Sequence, residues 1–207
     1  VIIANGIEPD RYRGLNKADA RKALGLGRRD PVALAVGRLC RQKGQDVLLE
    51  AAALLREAGT ALRVLVVGSG PWEARLRERV GRERLGSFVT MVGEAADLRP
   101  YYAACDLVVM PSRFEGMPYV ILEAKAAGRP VAVSLVSGMG EFVRHGWDGF
   151  LIPPGNAVAL ARVLRRLAHD RRAFSRAGRR ARAGLGPDWV ARRSVKGLHG
   201  VYRALLA

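Results

Sequence analysis

Residues 107–134 read LVVMPSRFEGMPYVILEAKAAGRPVAVS. Leu107 to Met110 are apolar and stop at Pro111-Ser112. A loop runs on to Pro118, a helical apolar pattern covers Val120 to Ala127, and beyond the Gly128-Arg129-Pro130 break Val131 to Ser134 form a second apolar run. Short apolar runs bounded by turn residues are what strands buried on both faces look like. The alternation continues on both sides. Upstream, strand-like runs at Val32 to Val36, Leu62 to Val67 and Phe88 to Val92 alternate with helical patterns at Gln45 to Glu57, Trp72 to Arg84 and Leu98 to Ala104. Downstream, a helix at Met139 to His145 leads to a last strand at Phe150 to Ile152. This alternation predicts an α/β fold, a Rossmann-like doubly wound parallel sheet covered by helices on both faces. The end departs from it: Ala157 to Leu167, Arg171 to Ala183 and Trp189 to Leu206 read as successive helices, with Gly184 to Pro187 separating the last two. The last helix carries an apolar stripe that needs a surface to lie on.

With 207 residues and 49% hydrophobic content, the chain is long enough for one domain with a full core. No run reaches the roughly 18 apolar residues of a membrane span, and Val1 to Ile7 lacks the basic flank and length of a signal peptide, so a cytoplasmic location is expected. The chain starts at Val1 rather than Met and reads as though cut from something longer, so an upstream domain is expected. Cys40 and Cys105 show neither disulfide nor zinc-site spacing and read as small core residues. The net charge is +16, and all but five of the 35 basic residues are arginine. Nucleic acid, anionic lipid or an arginine-favouring composition would each account for it. The densest cluster, Arg162 to Arg182, has almost no interleaved aromatics, which argues against base stacking on single strands, and no nucleic-acid partner is expected. Peripheral contact with the anionic inner face of a membrane stays open.

In an open parallel sheet, ligands sit in the crevice at the carboxyl ends of the strands, so the loops after the strands are the ones to read. Gly37-Arg38-Leu39-Cys40-Arg41-Gln42-Lys43-Gly44 places two cations beside glycines before a helix. Helical N–H groups and the helix dipole favour phosphate there, Arg38 can fork onto two oxygens, and Lys43 adds a point charge. A solvated basic loop is the rival reading. It is not a Walker A loop, because Gly44 follows Lys43 where Ser or Thr is required. Gly68 to Glu73 is a poor dinucleotide fingerprint, since Glu73 stands where a small residue must sit; it reads as a tight turn with Pro71 opening a helix. Glu115 closes a strand, and Glu123, with seven residues between them, lies one to two turns into an apolar helix. A carboxylate there needs a hydroxyl or cationic partner, and a pair so spaced could hold the hydroxyls of a ribose and of a sugar.

These motifs together resemble the retaining GT-B glycosyltransferases of family 4: the GRLxxxKG loop, the segment EGMPYVILE, the AxAxGxPV that follows, and Ser137-Gly138-Met139-Gly140-Glu141. Asn5-Gly6-Ile7 resembles the segment that enters the second domain of that fold, and Trp189 to Leu206 resembles the helix that crosses back to the first. The resemblance covers nearly the whole chain. It implies one donor-binding domain over residues 1–207, the C-terminal half of a GT-B fold, in which 1–30 lead in from an absent acceptor-binding domain and 187–207 close the fold. By the same resemblance, Arg38 and Lys43, next to Gly37, bind the donor diphosphate and with Glu115 act in catalysis. Glu123 takes the ribose, the base lies near Val92, Gly93 and Glu94, and Glu115 with Gly116, Met117, Pro118, Tyr119 and Val120 surrounds the transferred sugar. Pro118 departs from the pattern, because relatives often carry glycine there and proline offers no N–H. Lys125 reads as a surface variation.

The implied reaction is retaining hexosyl transfer from a nucleoside-diphosphate sugar to a hydroxyl. Arg38, Lys43 and a helix start would stabilise charge growing on the diphosphate. No cofactor or metal is expected, and no Asp-x-Asp occurs in the sequence. The fragment alone should be inactive. His145, His169 and His199 match no catalytic motif. A stand-alone nucleotide-sugar-binding module and a GT-B-like sugar-nucleotide epimerase are the alternatives.

Overall fold

The computed structural model describes residues 6–206, which leaves Asn5 of the Asn5-Gly6-Ile7 segment outside the described residues. Six parallel strands form one sheet: β1 (Val32–Val36), β2 (Arg63–Val67), β3 (Val89–Gly93), β4 (Leu107–Met110), β5 (Val131–Ser134) and β6 (Gly149–Ile152), in the spatial order β3-β2-β1-β4-β5-β6. The order reverses between β1 and β4, which opens the crevice of a doubly wound sheet there. All six strands lie within a residue or two of their predicted positions.

Successive residues of a strand point to opposite faces, and β1 shows it: Val32 and Leu34 join one buried cluster, Ala33 and Ala35 the other. Because both faces are covered, the strands are nearly all apolar rather than alternating, with exceptions such as Arg63 and Thr90 on β2 and β3 toward the sheet edge. The Ala33/Ala35 face carries α2 (Gln45–Glu57), α3 (Glu73–Arg82), α7 (Ala157–His169) and α8 (Arg171–Ala183); the Val32/Leu34 face carries α4 (Arg99–Ala104), α5 (Tyr119–Ala126) and α6 (Met139–Phe142). Helix α6 is a single turn and stops short of the predicted His145, and Pro71 precedes α3 instead of opening it.

One helix escaped sequence reading. Helix α1 (Lys17–Ala23) has seven residues and no apolar stripe. The Asn16 side chain caps it, accepting from the amides of Ala18 and Asp19 at 2.8 and 3.4 Å. Helices α7 and α8 begin in the same way at Asn156 and Asp170.

The two ends of the chain meet. Ile7 N–H donates to the Trp189 carbonyl at 2.9 Å and the Ala191 N–H to the Ile7 carbonyl at 2.8 Å. Ile7 is buried with Leu122 and Ala126 of α5, and Trp189 packs beside them. Trp189 belongs to a 3-10 turn (Pro187–Trp189); the last helix, α9 (Ala191–Leu206), starts beyond it. No residue of α9 is buried, and Val195, Leu198, Tyr202, Leu205 and Leu206 of its stripe stand 47–87% exposed. Among the described residues, no helix is long and apolar enough to cross a membrane.

Lys125 corrects an expectation. It is buried, and its Nζ donates to Asp148 Oδ2 at 3.0 Å, while Asp148 Oδ1 accepts from the Arg144 amide. The helical period points this position inward, and the carboxylate that makes it tolerable comes from a loop 23 residues away. Both cysteines are free, Cys40 half-buried and Cys105 fully buried; burial pushes the Cys105 thiol up to about 11.

Candidate functional site

The loops after β1 and β4 flank the point where strand order reverses, and they are fastened to each other. The Arg113 N–H donates to the Gln42 carbonyl at 2.8 Å, and the Gln42 amide donates to the Phe114 carbonyl at 3.1 Å. The Arg113 guanidinium forks onto Asp46 at 2.7 and 2.9 Å and also reaches the Arg41 carbonyl. Burial alone would raise the Asp46 carboxyl; Arg113 and the amides at the start of α2 outweigh it and hold the group below the usual carboxylate range.

Gly44 makes the approach possible. It sits in the left-handed region, φ 67°, between the 3-10 turn Arg41–Lys43 and α2. A Cβ there would stand 2.1 Å from the Pro111 carbonyl oxygen. Only glycine meets both conditions. Gly68, after β2, is similar, since its Cβ would meet the Gly37 carbonyl oxygen at 2.1 Å.

Across the junction Lys43 Nζ donates to Glu115 Oε1 at 2.7 Å, and the buried Ser112 hydroxyl donates to the same oxygen at 2.7 Å. The Glu115 side chain is only 5% exposed, whereas that of Lys43 is 24% exposed. Arg38 is exposed, and its guanidinium has no hydrogen bond or ion pair to any described residue; its carbonyl accepts from the Gln45 amide at 2.9 Å, which holds the backbone in place. The crevice therefore holds a cation without a counter-charge next to an ion pair that faces water on one side. Such a site can exchange its internal partner for an anionic ligand.

Glu123 lies in a separate cluster. Tyr12 Oη donates to its Oε1 at 2.8 Å and Tyr102 Oη to its Oε2 at 2.7 Å; the two rings pack edge to face at 5.7 Å. Burial, reinforced by the neighbouring carboxylate, raises the pKa of both phenols, so both remain donors. The hydroxyl partner expected for a carboxylate in an apolar helix is present twice over. Of the predicted residues, the structure thus joins Lys43 to Glu115 directly, places Arg38 on the same loop as Lys43, and sets Glu123 apart. Gly93 and Glu94 lie at the end of β3, the sheet edge; Gly93 pairs with Val67 of β2 across a register shift and its carbonyl accepts from the Gly68 amide at 2.7 Å, and Glu94 accepts from the Ser69 hydroxyl at 3.2 Å. Pro118 is the buried N-cap of α5, and Tyr119 and Val120 open that helix. Gly116 and Tyr119 are exposed, Met117 and Val120 half-buried.

Sequence reasoning missed Ser112, Asp46, Arg113, Tyr12 and Tyr102. Ser112 and Arg113 stood within the quoted stretch 107–134. Asp46, Tyr12 and Tyr102 are brought in by tertiary structure, and Tyr12 lies 111 residues from its partner.

Comparison with known proteins places this geometry. A family profile described as glycosyl transferases group 1 matches residues 30–170. The D-inositol 3-phosphate glycosyltransferase of Nocardia farcinica is 35% identical over 216 residues, covering 99% of this chain and 47% of that protein. Among solved structures, Anabaena Alr3699/HepE in complex with UDP-glucose superposes with a TM-score of 0.89 at 26% identity, covering 99% of this chain and 57% of that one. Sucrose-phosphate synthase from Thermosynechococcus elongatus gives 0.88 at 31% identity, covering 100% and 52%. The chain spans about half the length of the curated relatives it matches. The matched region runs from Asp30, just before β1, to Asp170, between α7 and α8. It takes in the whole sheet and both loops of the crevice, and the chain belongs to the group 1 glycosyltransferases, with their GT-B type of Rossmann-like sheet.

Proposed function

We propose that this chain is the donor-binding half of a retaining glycosyltransferase, holding a nucleoside-diphosphate sugar at the crevice between β1 and β4. The observation that carries the reading is the pairing of an uncompensated Arg38 with an exchangeable Lys43–Glu115 bridge at the reversal of strand order. The UDP-glucose complex of Anabaena HepE, similar over the full chain, supports a uridine diphosphate sugar as the first donor to test.

In this reading the diphosphate takes Lys43 from Glu115 and forks onto Arg38, which leaves Glu115 free to accept hydrogen bonds from the sugar. As the bond from the anomeric carbon to the diphosphate oxygen breaks, the electron pair stays with the diphosphate. Arg38 and Lys43 stabilise the growing charge more than they stabilise the intact donor. The acceptor hydroxyl oxygen bonds to the anomeric carbon on the face the leaving group vacates, and its proton passes to the departing diphosphate oxygen. No metal is needed, because the two cations meet the charge themselves. The ribose binds at Glu123, in competition with Tyr12. The acceptor comes from a further domain, whose surface covers the apolar stripe of α9. Contact of the α7 and α8 arginines with an anionic membrane belongs to the same proposal, and failure of the chain to sediment with anionic vesicles at low salt removes it.

Calorimetric titration with UDP, GDP and ADP, without and with magnesium, tests the reading. Metal-independent binding of one diphosphate, lost in the Arg38→Ala/Lys43→Ala variant, is expected. Equal binding by that variant overturns the assignment.

A further inference from the structure

The opposite end of the sheet carries a second concentration of positive charge that the donor site does not use. Asp106, immediately before β4, is buried and accepts from Arg21 Nη2 at 2.8 Å, from Arg171 Nη2 at 3.3 Å, from the Val32 amide at 2.9 Å and from Lys17 Nζ. Three cations thus share one carboxylate. Arg21 is 2% exposed and spends its remaining donors on the carbonyls of Ala104, Gly27 and Arg28; Arg171 Nε is buried with no partner.

Beside this cluster a cavity of about 310 Å³ opens between α8 and the turn after α5. It is lined by Lys17, Asp106, Arg129, Ser175, Arg179 and Arg182. Arg129 spends Nε and Nη2 on two neutral carbonyls, Tyr102 and Ala103, at 2.8 Å each. Arg179 donates to the Ser175 hydroxyl at 3.1 Å, and the guanidinium of the exposed Arg182 has no hydrogen bond or ion pair to any described residue. Asp106 is the one carboxylate in the wall, and Lys17, Arg21 and Arg171 already overcompensate it. The cavity therefore presents three guanidinium groups with no counter-charge of their own, a hydroxyl, and a buried cationic floor. Guanidinium forks match the oxygens of a phosphate, and the volume lies at the small end of small-molecule sites. A duplex or a protein helix does not fit such a cavity.

We infer that this cavity is a second anion site, separate from the donor crevice, built for a phosphomonoester or diphosphate group, whether of a soluble metabolite or of a lipid headgroup. It does not depend on the donor reading, because the two lie at opposite ends of the strands.

The test uses the full 207-residue chain carrying Arg38→Ala and Lys43→Ala, which removes the donor cations, and titrates it with inorganic pyrophosphate by calorimetry. One site is expected, weakened roughly 100-fold by adding Arg179→Ala and Arg182→Ala, since each guanidinium–phosphate contact contributes about tenfold. Both residues are exposed, and an unchanged thermal midpoint without ligand shows the fold intact. Arg182→Ala alone should weaken binding about tenfold. Sedimentation with phosphatidylcholine vesicles containing phosphatidic acid, reversed by pyrophosphate, assigns the site to a lipid headgroup; pyrophosphate binding without sedimentation assigns it to a soluble phosphate. No binding at millimolar pyrophosphate, or binding that Arg179→Ala/Arg182→Ala leaves unchanged, overturns the inference.

Discussion

The two ends of the sheet handle charge in different ways. At the carboxyl end Lys43 meets Glu115 one to one beside an unpartnered Arg38, on a glycine-bearing turn open to water. At the amino end one buried carboxylate, Asp106, ties together α1, α8 and the start of β1. A half-open pair contributes little to stability and exchanges easily. A buried carboxylate under several cations cannot be removed without stranding them, and that loss is large. Both carboxylates are buried, with Glu115 5% and Asp106 7% exposed; the cations decide the difference, because Lys43 is a single, partly exposed partner that a ligand can replace, whereas Asp106 holds three, among them Arg21 at 2%.

This contrast can be broken at either end. The largest effect is expected from Arg38→Ala/Lys43→Ala, which should cost about 3–6 kcal/mol of UDP binding by calorimetry, at about 1.5–3 per charge-assisted contact, and leave the thermal midpoint almost unchanged. Asp106→Asn should do the reverse: about 3–5 kcal/mol of stability lost in urea unfolding at neutral pH, with UDP affinity retained. A large fall in nucleotide binding in that variant would mean that the two ends are coupled.

The amino end also makes a pH prediction. Burial would raise the Asp106 carboxyl, but Lys17, the Val32 amide and Arg21 outweigh it and depress it below its ordinary 3.8. A depressed folded value means that the stabilisation is complete above the unfolded value and is lost as pH falls through the folded one. The stability difference between wild type and Asp106→Asn should therefore shrink once the pH drops below 3.8. A difference that stays constant down to strongly acid pH would show that the carboxylate's charge is not what stabilises.

Gly44→Ala probes the junction of the β1 and β4 loops. A left-handed alanine costs about 1–2 kcal/mol before its collision with the Pro111 carbonyl, so both the thermal midpoint and UDP affinity should fall together. The smallest effect belongs to Tyr12→Phe. It keeps the ring packed on Tyr102 and releases Glu123 Oε1, so UDP affinity should rise a few-fold, within about 1 kcal/mol for one hydrogen bond. Unchanged or weaker UDP binding would place the ribose elsewhere than Glu123.

Much of this molecule was legible in one dimension. Six strands and most helices follow from the spacing of apolar runs, because a sheet covered on both faces demands continuous apolar strands whatever its neighbours are. The loops that bear Arg38, Lys43 and Glu115 follow from their place after strands, and the family match bears out the resemblance those motifs carry. Helix α1 was invisible, since seven residues without a stripe depend on the Asn16 cap and on Arg21 reaching Asp106, 85 residues away. Lys125 was misread because an ammonium group is tolerable inside a protein only where a carboxylate meets it, and nothing near it in sequence announces Asp148. The sequence alone determined the strands, most of the helices and the loops at the strand ends, because these depend on periodicity and local turn chemistry. Tertiary structure alone decided which charges are paired, which are free and which hydroxyls hold Glu123, because hydrogen bonds and ion pairs act over about 3 Å in space regardless of separation along the chain.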